Sequence, residues 1–177
     1  MKTLLISLII ALVPSQVAMD FTKKEAQNWS VQLDGVMGGR SSGKIEFSKK
    51  GLHFEGNLSL ENNGGFAAIR SPWGQFDLSK AKKVKVRLKG DGREYKLTLD
   101  DTKAWYLPNY EVKMKTEKGK WLELSIPISD FRISRMGDMG NSAPSSDQMG
   151  GIIRVGIILA DKNPGPFELE VASIEFE

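Results

Sequence analysis

The residues best suited to binding a polar ligand lie in a glycine-rich segment near the start of the chain. The segment begins at Asp34 and ends at Arg40, and its glycines are Gly35, Gly38 and Gly39. Glycines permit positive φ angles and close backbone approach, so a loop of inward N–H groups between a carboxylate and a guanidinium can hold a polar group. The same residues also suit a tight turn in which Asp34 accepts hydrogen bonds from its own loop amides. No Lys-Ser/Thr pair follows the glycines, which excludes a phosphate loop.

A second group of candidate binding residues lies in a turn between two predicted strands. Glu61, Asn62 and Asn63 precede two glycines, and Arg70 follows the next apolar run. These side chains can donate to or accept from a peptide or sugar hydroxyls. The alternative is structural, because Asn and Gly are the residues that hairpin turns require.

A third group is charged and lies near predicted strand ends. Arg93, Asp161 and Lys162 are candidate partner-binding residues, and Asp91 lies close to Arg93 in the sequence. The alternative is an Arg–Asp pair that joins two loops and binds nothing else.

Few residues are suited to catalysis. The chain has no cysteine and one histidine, His53, which excludes thiolate chemistry, disulfides and metal sites built on two histidines. The surroundings of His53 do not suggest a Ser-His-Asp triad. We predict no enzymatic activity, no cofactor and no metal. Calcium near Asp100 and Asp101, or a glycosidase carboxylate pair, are the remaining alternatives.

The first residues resemble a secretory leader. Lys2 supplies the positive charge, a run of about ten mostly apolar residues follows from Leu4, and small residues at Ser15 and Ala18 are suitable cleavage sites. We predict a signal peptide over residues 1–18, cleaved after Ser15 or Ala18, and therefore a periplasmic or secreted protein. The run is too short to span a bilayer, which needs roughly 20 residues. We predict no transmembrane segment in the mature chain.

Length and charge favour one ordinary globular domain. The chain has 177 residues, 40% of them hydrophobic, and a formal charge of +3. The length is enough to bury a core, and we predict a single domain over residues 19–177. The charge excess is too small to predict nucleic-acid binding.

Period-two alternation dominates the chain from Trp29 onward and positions the candidate residues. Apolar residues alternate with polar ones in segments such as 83–89, 95–99 and 121–128, as in half-buried strands, whereas 152–159 is nearly continuously apolar, as in a central strand. Glycine-rich and proline-rich turns separate the segments. The pattern predicts an all-β, two-sheet antiparallel jelly-roll sandwich, with residues 135–151 as a long loop.

Two segments resemble the complex I intermediate-associated protein 30 family. They are Trp29–Gly43 and Phe54–Ser71, and shorter matches start at Gly90, Ile126 and Asp161. The resemblance extends over roughly residues 21–176. It implies a galactose-binding-like jelly roll and, from the mitochondrial members of the family, a chaperone-like assembly role without catalysis.

These observations together predict an exported, non-catalytic binding or assembly module. A protein is the predicted partner, recognised by loops at one end of the sandwich that present Asp34, Arg40, Asn62, Asn63 and Arg70. The alternative is a carbohydrate-binding module, because exposed tryptophans such as Trp73, Trp105 and Trp121 can stack on sugar rings.

Overall fold

Two antiparallel sheets pack face to face in the computed structural model, which describes residues 17–177. The predicted signal peptide therefore lies largely outside the described residues. In chain order the strands are β1 (Val17–Asp20), β2 (Ser30–Leu33), β3 (Ser42–Ser48), β4 (Gly51–Leu58), β5 (Ala67–Arg70), β6 (Lys83–Gly90), β7 (Glu94–Asp100), β8 (Asn109–Lys115), β9 (Trp121–Pro127), β10 (Arg132–Arg135), β11 (Asp138–Met139), β12 (Arg154–Leu159) and β13 (Gly165–Phe176).

The order of strands in each sheet is that of a jelly roll. The first sheet has the order β3-β4-β13-β6-β9, with β1 also paired to β13, and the second has the order β11-β10-β8-β7-β12-β5-β2. All these strand pairs are antiparallel. The predicted fold class is confirmed.

The core lies between the sheets and is built from alternate residues of each strand. The first sheet contributes Val84, Val86 and Leu88, and the second contributes Leu97 and Leu99. These five side chains are fully buried, and many other apolar residues of both sheets pack around them. Burial of these apolar side chains stabilises the sandwich by roughly 1.5–3 kcal/mol each. The two sheets therefore form a rigid support for the loops at their ends.

Strand β13 is central to the first sheet and is irregular at one point. Its pairing with β6 shifts register between Val171 and Ser173, as at a β-bulge. On its other side it pairs with β4 up to Val171 and with β1 from Ser173 onward. The shift thus lies where β13 changes neighbours, and the carbonyl of Ala172 there accepts from the amide of Phe21 at 3.0 Å.

The segment predicted as a long loop contains regular structure. Residues 135–151 include β11 and a short helix, α1 (Ser146–Gly150). Ser145 and Gln148 form a capping box at the start of this helix. Sequence periodicity does not reveal a two-residue strand or a single helical turn, which explains the wrong prediction.

Short 3-10 helices form part of the loops. They span Lys24–Ala26, Asp34–Met37, Glu61–Asn63 and Ile128–Asp130. No helix within residues 17–177 has the length and apolar character needed to cross a membrane.

Register places two sets of loops at opposite ends of the second sheet. Leu33, Ala67, Leu159 and Tyr95 lie in one row across neighbouring strands, so the loops that adjoin them lie at the same end. Segments 34–41, 59–66, 91–93 and 160–164 belong to this end. Segments 71–82, 101–108 and 140–153 belong to the other.

Candidate functional site

Asp34 joins two loops through hydrogen bonds to the backbone. It follows β2, is 1% exposed, and its Oδ1 accepts from the Ser41 amide at 3.0 Å. Its Oδ2 accepts from the Ser41 hydroxyl at 2.6 Å and from the Gly65 amide at 2.7 Å, with Phe66 N at 3.4 Å. We call segments 34–41 and 59–66 the paired loops, because this one carboxylate holds them together.

The paired loops also share contacts away from Asp34. The Ser41 hydroxyl accepts from Ser59 N at 3.0 Å, and the Asn62 side-chain amide donates to the Gly38 carbonyl at 3.2 Å. Arg40 Nε lies 3.5 Å from a carboxylate oxygen of Glu61. The structure thus brings together the first two groups of predicted site residues, with the exception of Arg70.

The pKa of Asp34 lies below its ordinary value. Burial acts to raise this pKa, but the hydrogen bonds from Ser41, Gly65 and Phe66 favour the ionised form and outweigh burial. Both oxygens are occupied by donors of the protein. Asp34 therefore positions the two loops relative to each other.

Two glycines beside Asp34 leave the space that its side chain fills. A Cβ at Gly39 would lie 2.4 Å from Asp34 Cγ, and one at Gly64 would lie 2.6 Å from Asp34 Oδ2. Gly38 has a φ of 88° and ends the 3-10 helix in the left-handed region, as glycine does readily. The conformation and close packing of these loops explain why Gly38, Gly39 and Gly64 are glycines. They do not explain Gly35, because a Cβ there would meet no atom within 4 Å.

The surface of the paired loops combines apolar and polar side chains. Val36 is 77% exposed and Met37 58%, and Leu60 is exposed as well. Arg40 and Glu61 form their ion pair at the surface, where both are exposed. Asn62 and Asn63 adopt positive φ angles of 55° and 59°, a conformation that Asn tolerates better than most residues.

Arg93 and Asp161 form a bidentate pair that joins loops at the same end of the sandwich. The two distances are 3.0 Å (Nε–Oδ2) and 2.6 Å (Nη2–Oδ1), and the guanidinium also donates to the carbonyls of Asn163, Gly165 and Pro166. The pKa of Asp161 is lowered, because the hydrogen bonds from Arg93 and from the Asn163 amide outweigh the effect of burial. The structure thus fits the structural alternative for this pair, while Lys162 is exposed at a φ of 60°.

Arg70 lies apart from the paired loops. It ends β5, and its side chain lies on the outer face of the second sheet, at the end opposite to the loops. Its Nη1 donates to Thr98 Oγ1 at 2.8 Å and to Asp100 Oδ2 at 3.2 Å. The predicted grouping of Arg70 with Asp34 and Arg40 is therefore wrong, because Arg70 lies at the far end of β5 from the loop that precedes this strand.

Sequence reasoning missed the partners of Arg70 on this outer face. They are Thr98 and Asp100, on a strand distant in sequence, and a second cation, Arg154, lies nearby on the strand between. Burial raises the pKa of Asp100, although Arg70 and Arg154 act to lower it. The available signal was Gly156 within an apolar strand, since an isolated strand glycine often marks close approach of another group.

The basic residues of β6 lie on the outer face of the first sheet beside glutamates. Lys85 Nζ lies 2.7 Å from Glu177, Lys89 Nζ 2.9 Å from Glu170, and Lys44 on β3 lies 3.0 Å from Glu55. These pairs offset much of the positive charge, as expected for a solvated face. Within residues 17–177 no group of three or more His, Cys, Asp or Glu is placed to hold a metal ion.

Comparison with known proteins identifies a family and a fold. The family model "Complex I intermediate-associated protein 30 (CIA30)" matches residues 19–171. The mouse (Mus musculus) protein named "Complex I intermediate-associated protein 30, mitochondrial" is 31% identical over 179 residues, which cover 89% of this chain and 54% of the relative. The chain thus spans about half the length of that relative.

Solved structures of similar fold include carbohydrate-binding modules from Clostridium thermocellum. The family 11 module of the cellulase Lic26A-Cel5E has a TM-score of 0.63 at 17% identity, covering 91% of this chain and 93% of the module. A family 11 module in complex with a mixed-linked tetrasaccharide has a TM-score of 0.62 at 18% identity, covering 91% and 94%. At these identities the likeness shows the fold alone.

Proposed function

Because the chain belongs to the family of complex I intermediate-associated protein 30, we propose that it is a non-catalytic module that binds a protein partner in an assembly or chaperone-like role. The paired loops are its docking surface. Arg40, Glu61, Asn62 and Asn63 supply polar contacts there, and Asp34 keeps the loops in place. The bidentate ion pair of Arg93 and Asp161 joins the two neighbouring loops, 91–93 and 160–164.

The observation that carries this proposal is the exposure of apolar side chains on anchored loops. Val36 and Met37 lie at the tip of one loop and Leu60 lies on the other, all exposed to solvent. Exposed apolar side chains inside a polar rim are typical of protein-binding surfaces. The hydrogen bonds of Asp34 keep both loops ordered before binding, which reduces the entropy lost on association.

Affinity capture of the whole mature protein from its own cells tests this docking surface. We expect Arg40→Ala together with Met37→Ala to reduce recovery of a discrete partner at least fivefold, because each truncates an exposed contact. Lys23→Ala is the matched control, since it also removes an exposed cation from a surface pair, Lys23–Asp20. Equal recovery from the double variant and the control would contradict the proposal.

Export is part of the proposed function and makes a prediction about the mature N-terminus. Strand β1 begins at Val17, and Val17 and Ala18 pair with Phe176 and Glu175. Cleavage after Ala18 would remove Val17 and Ala18 from this strand, whereas cleavage after Ser15 keeps both. We therefore expect the mature protein to begin at Gln16, as mass spectrometry of the protein from its own cells would show. Uncleaved protein in the cytoplasm, or a mature form in an organelle, would contradict export.

Carbohydrate binding is a second candidate function, favoured by a specific surface. Trp73, Trp105 and Tyr106 are exposed near the polar outer face of the second sheet. The solved structures of similar fold are named as carbohydrate-binding modules, one of them in complex with a tetrasaccharide. A glycan array probed with the mature protein tests this function, and no signal on any glycan would contradict it.

A further inference from the structure

One row of polar residues crosses the outer face of the second sheet. The row is in register across six strands and consists of Ser30, Arg70, Gly156, Thr98, Glu111 and Arg132. Charged side chains near the middle of this face are largely buried, with Arg70 12% and Asp100 17% exposed, whereas Lys113 further along the same face is 57% exposed. Burying charge costs free energy, so such a face needs a reason beyond solubility.

Gly156 makes room for the central side chain of the row. A Cβ there would lie 2.7 Å from Arg70 Cδ and 2.8 Å from Thr98 Oγ1. Without it, Arg70 crosses β12 and reaches Thr98 and Asp100 on β7. The guanidinium therefore lies over β12 and β7, away from its own strand.

Positive charge exceeds negative charge at this place. Arg70 and Arg154 both act on the carboxylate of Asp100. The other carboxylate nearby, Glu111, is paired with Lys96 at 2.8 Å, so one of the three cations has no carboxylate of its own. Burial lowers the pKa of Arg154, and the nearby charge of Arg70 lowers it further. Arg70 Nε is buried without a hydrogen-bond partner in the described part of the chain. An additional anion beside the two guanidiniums would be stabilised.

Aromatic rings adjoin these cations at the end of the same face. The Arg154 guanidinium lies 4.2 Å from the centroid of the Trp73 ring, and Lys103 Nζ lies 5.6 Å from it. The contact of Lys103 with Trp73 places segment 101–108 beside that ring. The same segment contains Trp105 and Tyr106, and Trp105 is 73% exposed. Flat apolar rings are therefore exposed next to charged hydrogen-bond donors.

We propose that this face binds an acidic glycan, a chain of sugar rings that carry carboxylates. The apolar face of a sugar ring stacks on Trp105, and a carboxylate pairs with the Arg154 guanidinium, which lies over Trp73 and beside Arg70. This inference rests on the second candidate function, carbohydrate binding, and adds the charge of the ligand and the residues that recognise it. It uses a surface separate from the paired loops.

Isothermal titration calorimetry, which measures the heat of binding of uronate oligosaccharides to the mature protein, tests the inference. The probes are tetrasaccharides of galacturonate, mannuronate and guluronate, and the fully methyl-esterified galacturonate tetramer is the uncharged match. We expect at least one uronate to bind with a dissociation constant below about 1 mM. We expect the methyl-esterified galacturonate tetramer to bind at least tenfold more weakly than the uronate that binds.

Paired substitutions locate the site. Trp105→Ala and Arg154→Ala are expected to weaken uronate binding at least tenfold. Trp121→Ala and Arg87→Ala are the matched controls, since Arg87 lies 5.4 Å from the Trp121 ring in the same kind of contact on the first sheet. Trp105 is so exposed that its loss does not threaten folding, and this keeps the test valid if Arg154→Ala unfolds.

Each other outcome overturns the inference in a recognisable way. Equal binding of the acid and its ester would keep carbohydrate binding and refute the charge preference. Loss of binding in the Trp121 variant alone would place the site on the first sheet. Binding to vesicles of phosphatidylglycerol and phosphatidylethanolamine, with none to any uronate, would identify a membrane-binding face. No binding to any glycan would refute both this inference and the second candidate function.

Discussion

Two acidic residues on opposite ends of the second sheet illustrate different uses of a buried carboxylate. Asp34 accepts four hydrogen bonds from the protein, and its pKa is lowered. Asp100 lies on the outer face beside Arg70 and Arg154, and its pKa is raised because burial outweighs both cations. Asp34 is therefore satisfied by the fold, whereas Asp100 belongs to a group of charges that the fold leaves unbalanced.

The largest expected effect is that of replacing Asp34. Asp34→Asn replaces one carboxylate oxygen, an acceptor, with an NH2 group, which is a donor. Backbone N–H groups point at both oxygens, so at least one buried N–H would lose its acceptor. We expect a loss of about 3 kcal/mol in the free energy of unfolding, measured by urea denaturation at pH 7. A change below about 0.5 kcal/mol would show that Asp34 does not hold the paired loops.

A smaller loss is expected from filling the space beside the same carboxylate. In Gly64→Ala the new Cβ would lie 2.6 Å from Asp34 Oδ2 and 2.9 Å from the Glu61 carbonyl, and the backbone atom cannot easily move. Gly64 has a φ of −68°, so alanine has no conformational penalty and the effect is steric. We expect a loss of about 1–3 kcal/mol by the same method.

Gly156→Ala should cost less, because the atoms it meets belong to side chains. Its Cβ would displace Arg70, a flexible residue that can rotate away from the sheet. We expect a loss of about 1 kcal/mol, together with weaker uronate binding. A loss as large as that of Gly64→Ala would indicate that Arg70 is held as firmly as Asp34, and would remove the contrast between the two regions.

Asp100→Asn is expected to have the smallest effect. The raised pKa means that ionised Asp100 reduces the stability of the folded protein at neutral pH, and that this cost disappears as pH falls through the folded-state pKa. The variant removes this cost but also leaves Arg70 and Arg154 without their carboxylate, so we expect a net loss below about 1 kcal/mol at pH 7. A loss of about 3 kcal/mol at pH 7, typical of breaking a buried ion pair, would contradict this account.

The two carboxylates should also respond to acid in opposite directions. The lowered pKa of Asp34 contributes stability that is present above the ordinary carboxyl pKa and is lost as pH falls through the folded-state value. The destabilising effect of Asp34→Asn should be smaller at pH 3 than at pH 7. The effect of Asp100→Asn should be larger at pH 4 than at pH 7, because the wild type loses the cost of ionised Asp100 as pH falls. Unfolding curves of both variants at these pH values measure the difference.

The sequence allowed prediction of the fold but only part of the site. Alternation in segments such as 83–89 and 95–99 depends on local burial, so it identified strands and the jelly-roll class. The link from Asp34 to Ser41 is also local, and a loop-amide role for Asp34 was one of the two interpretations. The link from Asp34 to Gly65 requires knowing that β2 pairs with β5, which periodicity does not reveal.

The outer face of the second sheet was not predictable for the same reason. Arg70 meets Asp100 across β12, a strand that follows both in the chain and lies between them in the sheet. Arg93 and Asp161 are also far apart in sequence, and a pair was anticipated from charge alone. Strand order thus determines which polar residues meet, whereas the sequence determines only which residues are polar.

The most direct test of the docking surface is photocrosslinking in living cells. A photoreactive amino acid at Met37, on the paired loops, should give one discrete protein adduct, and the same substitution at the exposed Met136 should give none. Addition of Arg40→Ala should weaken the adduct at position 37. Equal adducts at positions 37 and 136, or none at position 37, would contradict the claim that the paired loops bind a protein.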